Sequence, residues 1–212
     1  AGLQMTQNGG PGASTGMFLR GADTRQTLVI IDGVPMTKQD ATGTVSIEHL
    51  ALDQIDHIEI VRGNVSSVYG SGAVGGVIQI FTKVVSGVPG VSATAEAGSR
   101  GAHRLSASAR GSSEGFTYGL AVSEYFTKGF SALNPSQYPL ANRDRDGYRN
   151  QSVSGSLAKS WSPGHELGLR MSNSVGKTDY DDGYGAPTYL HFSRTEVNSV
   201  TAFSNDRITD DW

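Results

Sequence analysis

Carboxylates gather in two stretches of this chain, and their spacing is that of ligands for a hard cation. Asp144 and Asp146 flank Arg145 in DRDG, and Asp179, Asp181 and Asp182 stand in TDYDDG. Calcium needs several oxygen donors, and alternate residues of a loop can aim at one ion, so two such loops side by side could share it. The same residues also suit a solvated acidic loop built on Asp-Gly turns, and both readings stand at the level of spacing. Arg143 and Arg145 place positive charge beside the first pair.

Other constellations carry less chemistry. His49, His57, His103, His165 and His191 stand singly, at no metal-ligand or general-base spacing, and read as structural. Gly70, Gly72, Gly75 and Gly76 are not followed by Lys-Ser/Thr and lead into a strand instead of a helix, so they do not make a phosphate cradle. No catalytic set emerges, and the expectation is a binding protein with no enzymatic activity and no catalytic cofactor.

The elements that would position these loops fall into two textures. Up to about residue 84 the chain reads as a small α+β unit. Leu28 to Asp32 is a short strand closed by Asp32-Gly33, Ile47 to Gln54 has apolar residues at helical spacing with Ser46 as N-cap, and Ile55 to Val61 alternates as a strand. The glycine-loaded turn at 70 to 76 feeds the strand from Val77 to Thr82.

From about residue 90 long alternating strands take over, near 90–99, 102–112, 115–129, 148–161, 165–180 and 194–206. Phe116, Tyr118, Leu120 and Val122 face one way and Thr117, Gly119, Ala121 and Ser123 the other. Apolar-out and polar-in is the pattern of a transmembrane β-barrel, whereas a sandwich in water would need an apolar inner face. Gly111 to Gly115 and Ser162 to Gly164 are short turns, while Ser131 to Asp146 and Asp181 to Ser193 are long loops, as expected of periplasmic and extracellular ends. Ser99 to Gly101 is a short exception on the long-loop side.

Composition agrees. The 212 residues include no cysteine and carry a formal charge of −3, which suggests neither a disulfide scaffold nor a nucleic-acid partner. No run of about 18 apolar residues suggests a membrane-crossing helix. The N-terminal AGLQMTQNGG has neither a basic nor an apolar leader region.

Three motifs in succession, FLRGADTRQTLVIIDGVPM (18 to 36), IEHLALDQIDHIEIVRG (47 to 63) and VYGSGAVGGVIQIFTK (68 to 83), resemble the plug domain of TonB-dependent outer-membrane receptors. QNGG (7 to 10), DRDGY (144 to 148) and TDYD (178 to 181) are most similar to the cobalamin branch of that family. The resemblance implies a plug domain over 1–84 and the first strands of a transmembrane barrel over 85–212. A 22-stranded barrel at roughly 10 residues per strand needs about 400 residues, so a piece truncated at both ends is expected.

The resemblance also implies a location in the outer membrane of a Gram-negative bacterium, contact with its lipid, a TonB-type energy-coupling partner and no nucleic acid. It implies import of cobalamin or another corrinoid, with a ferric siderophore or haem, or a non-transporting receptor or adhesin, as the rival readings. Substrate contacts would come from Asn8, Gly9, Gly10, Gly12 and Ser14 in a first plug loop and from Met36, Thr37, Asp40, Ala41, Thr42 and Gly43 in a second. Asp144, Asp146 and Asp181, with Tyr180 beside them, match an aspartate cage for calcium, and Ser131 stands where that pattern has a further aspartate. Among the plug charges Arg20, Arg25, Asp32, Glu59 and Arg62, some would pair with wall charges such as Arg170 and Glu166.

Overall fold

The computed structural model describes residues 2–36, 45–83, 88–186 and 188–207. The first part is built on two central strands whose residues are apolar on both faces. Strand β3 (Thr27–Ile31) runs parallel to β6 (Gly76–Thr82), with β4 (Val34–Pro35) and β5 (Ile55–Arg62) antiparallel on the flanks, in the order β4-β3-β6-β5. Strands buried on both sides read as continuous apolar runs, and TLVII and VIQIF do so. Val29, Ile31, Ile78 and Ile80 pack on one face with Met17 and Val45, while Ile30 and Val77 pack on the other with Ala73. Before them, β1 (Leu3–Gln7) and β2 (Thr15–Leu19) form a hairpin whose connection carries Asn8 to Ser14. The short helix α1 (Ser66–Tyr69) precedes the glycine turn.

That turn packs within this small unit. A Cβ on Gly75 would stand 2.6 Å from Ala22, and one on Gly76, which has φ +144, would stand 2.3 Å from the Val61 carbonyl. Asp32 and Gly33 both have positive φ, 48° and 84°, as the two central residues of a tight hairpin turn between β3 and β4 require. The helix expected over 47–54 is instead two single 3₁₀ turns, Ile47–His49 and Leu52–Gln54, separated by extended Leu50 and Ala51. Ser46 makes no side-chain cap. Leu50 turns into the core formed around Val29, and continuing the helix through it would give up that burial.

The second part is a six-stranded antiparallel meander. Strands β7 (Gly90–Ala97), β8 (His103–Ser113), β9 (Phe116–Thr127), β10 (Tyr148–Ser162), β11 (His165–Tyr180) and β12 (His191–Asp206) each pair with their chain neighbours. Phe116, Tyr118, Leu120, Leu157, Trp161, Leu167 and Met171 are exposed on the outer face. Asn150, Ser152, Ser174 and Thr178 on the inner face are buried. The polar face is therefore the one covered by the first part of the chain, which explains why alternation here inverts the pattern of a water-soluble sandwich. No helix of the described residues is long and apolar enough to cross a membrane. The expected boundary at residue 84 falls on 84–87, outside the described residues.

Candidate functional site

Two wall loops meet above the β1–β2 hairpin, and their carboxylates converge. Asp144 and Asp146 come from the loop between β9 and β10, and Asp181 follows β11 directly. One oxygen from each of the three lies within 4.8 Å of the others. Asp146 is 6% exposed, and its Oδ2 accepts from the Ala132 amide at 3.3 Å. Burial, followed by the charge of Asp181, pushes the Asp146 carboxyl up to about 6. Ser131 Oγ donates to Asp181 Oδ2 at 2.6 Å, so the residue standing in place of a further aspartate reaches the cluster through its hydroxyl.

The other acids of TDYDDG turn elsewhere. Asp179 Oδ1 pairs with Lys177 Nζ at 3.2 Å, and Asp182 Oδ1 accepts from the Tyr184 amide at 3.0 Å in a local turn. Tyr180 stacks on His191, with ring centroids 5.6 Å apart. Among the described residues neither Arg143 nor Arg145 forms an ion pair with the three aspartates. Three carboxylates and a hydroxyl are hard oxygen donors, a set that suits calcium more than a transition metal.

Beneath this cluster lies the loop of the β1–β2 hairpin. Asn8 and Ser14 are exposed and are joined by the Asn8 amide to the Ser14 carbonyl, 3.1 Å. Gly9 approaches Ala132, and Gly10 lies under the backbone of Phe130 and Asp146. Gly12 is turned to the wall, where Thr178 Oγ1 donates to its carbonyl at 3.0 Å and the Tyr148 ring occupies the space a side chain would need. The loop thus offers Asn8 and Ser14 outward and uses Gly12 for close approach. Met36 packs partly buried against the core around Val29, and its amide donates to the Val29 carbonyl. Thr37, Asp40, Ala41, Thr42 and Gly43 lie outside the described residues.

Further contacts tie this unit to the wall. His49 is 3% exposed; its carbonyl accepts from Asn150 Nδ2 at 2.9 Å and from Ser174 Oγ at 2.5 Å. The Tyr148 hydroxyl donates to the Glu48 carbonyl at 3.2 Å and lies 3.1 Å from His49 Nδ1. Burial pushes the imidazole below its ordinary range, so the neutral form is the one held. In the sequence His49 is one of five isolated histidines, because its partners lie about a hundred residues further on.

Lower down, Asp32 accepts from the Thr82 amide at 2.9 Å and lies 3.8 Å from Arg170 Nη1, as the expected pairing of inner and wall charges requires. Glu166 instead binds Ser160 and Asn205 within the wall. Arg25 pairs with Asp23, and Glu59 lies 3.7 Å from His57, both inside the first unit. Asp32, Arg110 and Arg170 line a hydroxyl-rich cavity of about 380 Å³ between the two parts.

Comparison with known proteins matches residues 1–77 to the family described as TonB-dependent Receptor Plug Domain. The chain is 32% identical over 203 residues to a vitamin B12 transporter of Photobacterium profundum, covering 95% of this chain and 33% of that protein. It is 32% identical over 210 residues to a vitamin B12 transporter of Vibrio cholerae, covering 97% and 34%. The chain thus spans about a third of the length of these relatives. Among solved structures, the ferric yersiniabactin uptake receptor of Yersinia pestis superposes with a TM-score of 0.77 at 21% identity over 99% of this chain and 34% of that one. A copper transporter superposes with a TM-score of 0.74 at 14% identity over 99% and 31%. At these identities the structures bear on the fold alone.

Proposed function

The chain carries the plug domain and adjoining barrel strands of a TonB-dependent outer-membrane receptor, and from that premise we propose that the receptor binds and imports cobalamin or a related corrinoid. The observation that carries this reading is the convergence of Asp144, Asp146 and Asp181 directly over the plug hairpin, in a chain whose sequence relatives are vitamin B12 transporters. Calcium held by these carboxylates and the Ser131 hydroxyl would draw the two wall loops together over the plug. Asn8 and Ser14 then face the ligand with an amide and a hydroxyl, groups suited to a corrinoid rich in amides. The resemblance adds Met36, Thr37, Asp40, Ala41, Thr42 and Gly43 as further ligand contacts.

In this reading residues 1–84 are the plug and 85–212 wall strands. Ligand binding changes loop order, and a TonB-type partner then pulls the plug; the ligand drives the first step only by preferring the closed arrangement of the loops. The deciding experiment expresses the full-length receptor in cells lacking their own corrinoid receptor and compares uptake of labelled cyanocobalamin with that of a ferric siderophore. Cobalamin uptake abolished by loss of TonB supports the proposal. Siderophore uptake alone would replace it, and uptake of neither would favour a receptor for a protein or phage.

A further inference from the structure

The plug meets the wall tightly around His49. His49, Tyr148, Asn150 and Ser174 are all nearly inaccessible, at 3%, 5%, 6% and 5% exposure. The His49 carbonyl takes two donors at once, Asn150 Nδ2 from β10 and Ser174 Oγ from β11. One plug peptide therefore bridges two adjacent wall strands. Opposite the ring stands Gly176, where a Cβ would come within 2.0 Å of His49 Nδ1, so the wall is hollowed to receive the imidazole.

The height of this contact matters more than its tightness. Tyr148 lies two residues beyond Asp146, and it pairs across the sheet with Thr178, three residues before Asp181. Asn150 pairs with Gly176. The bridged stretch is thus the last ordered ladder before the two acidic loops leave the sheet. The hairpin loop grips the same strand ends through Thr178 and the Gly12 carbonyl. By contrast, the Asp32–Arg170 pair is longer and lies at the cavity further down the wall.

We infer that His49, held by Tyr148, Asn150 and Ser174, is a positioning latch that sets the spacing of the acidic loops, so that displacement of the plug loosens the Asp144, Asp146 and Asp181 site. Without the His49 carbonyl the Asn150 amide and the Ser174 hydroxyl keep only each other, 3.0 Å apart, so one buried N–H goes without an acceptor unless the strand ends rearrange. The consequence for release rests on the cation-holding role proposed above; the loop spacing itself does not.

The test uses the full-length receptor with spin labels on cysteines introduced at Ser136 and Ala186, one exposed position on each loop, and reads their separation by pulsed electron resonance without any ligand. The Asn150→Ala/Ser174→Ala variant is expected to broaden the distance distribution at least two-fold, Ser174→Thr, which retains a hydroxyl, to keep the wild-type width, and Arg170→Ala to leave it unchanged. Gly176→Ala displaces the ring while keeping every donor, and it should broaden the distribution even where the double variant fails to form a folded barrel. Wild-type width in Gly176→Ala or in a folded double variant overturns the inference, as does equal broadening by Arg170→Ala. A receptor that takes up no cobalamin would sink the proposed substrate and leave this measurement intact.

Discussion

At the scale of single residues, the most informative group is Asp146. Its carboxyl is pushed up to about 6, chiefly by burial and then by Asp181. The folded state therefore holds a proton that the unfolded chain has lost above its ordinary value of 3.8, and ionising Asp146 as pH rises through 6 weakens the loop arrangement. A bound cation reverses that sign, because it requires the ionised form. Calcium affinity is accordingly expected to rise with pH up to about 6 and to level off above it, falling roughly tenfold per unit below 6 for one competing proton. Calorimetric titration of the full-length receptor at pH 5, 6 and 7.5 checks this, and a flat profile would remove Asp146 from the site. In the same titration at pH 7.5, Asp144→Ala/Asp181→Ala should abolish calcium binding and with it calcium-enhanced affinity for cyanocobalamin.

Among elements, the loop between β9 and β10 depends on Gly129. Its φ is +61°, and a Cβ there would fall 1.7 Å from the Asp146 carbonyl oxygen, so Gly129→Ala must displace the residue that carries the buried carboxylate. The expected cost is ~1–3 kcal/mol of local stability from the backbone conformation alone, read as faster amide exchange over 129–147 with the barrel strands unchanged. Slow exchange retained across that loop would show that the crossing tolerates a side chain.

Elements also show what the sequence could and could not reveal. The six wall strands were legible because alternation has a period of two and is local: Phe116, Tyr118, Leu120 and Val122 announce their face without reference to anything else. The segment at 47–54 was misread because Ile47, Leu50 and Ala51 fit helical spacing, while their actual partners are the plug core and, for His49, strands about a hundred residues away. The β1–β2 hairpin was hidden by the glycines of its own loop, of which Gly12 serves close approach to the wall. Asp144, Asp146 and Asp181 could be proposed from spacing and resemblance, but the separation of Asp181 from Asp179 and Asp182 is set by Lys177 and the Tyr184 amide, which spacing does not encode.

For the whole molecule, the two faces of the wall make opposite demands on the same strand. Leu157 on β10 is 52% exposed on the outer face, while Ser152 on the inner face accepts from Gln54 Nε2 at 3.2 Å and meets Ser123 at 2.7 Å. With the outer face in lipid, a charge at Leu157 must enter hydrocarbon, whereas Trp161, nearer the short turn at Ser162 to Gly164, lies where charge can reach the interface. Leu157→Arg is therefore expected to cost ~2–4 kcal/mol near the bilayer midplane, and Trp161→Arg no more than about 1 kcal/mol of charge penalty near its edge. Ser152→Ala should leave bilayer insertion unchanged, because its hydroxyl serves the plug and not the lipid. Denaturant unfolding of the full-length receptor in phospholipid vesicles separates the three. Equal costs at 157 and 161 would mean that the strand does not cross the bilayer at the depth its alternation implies.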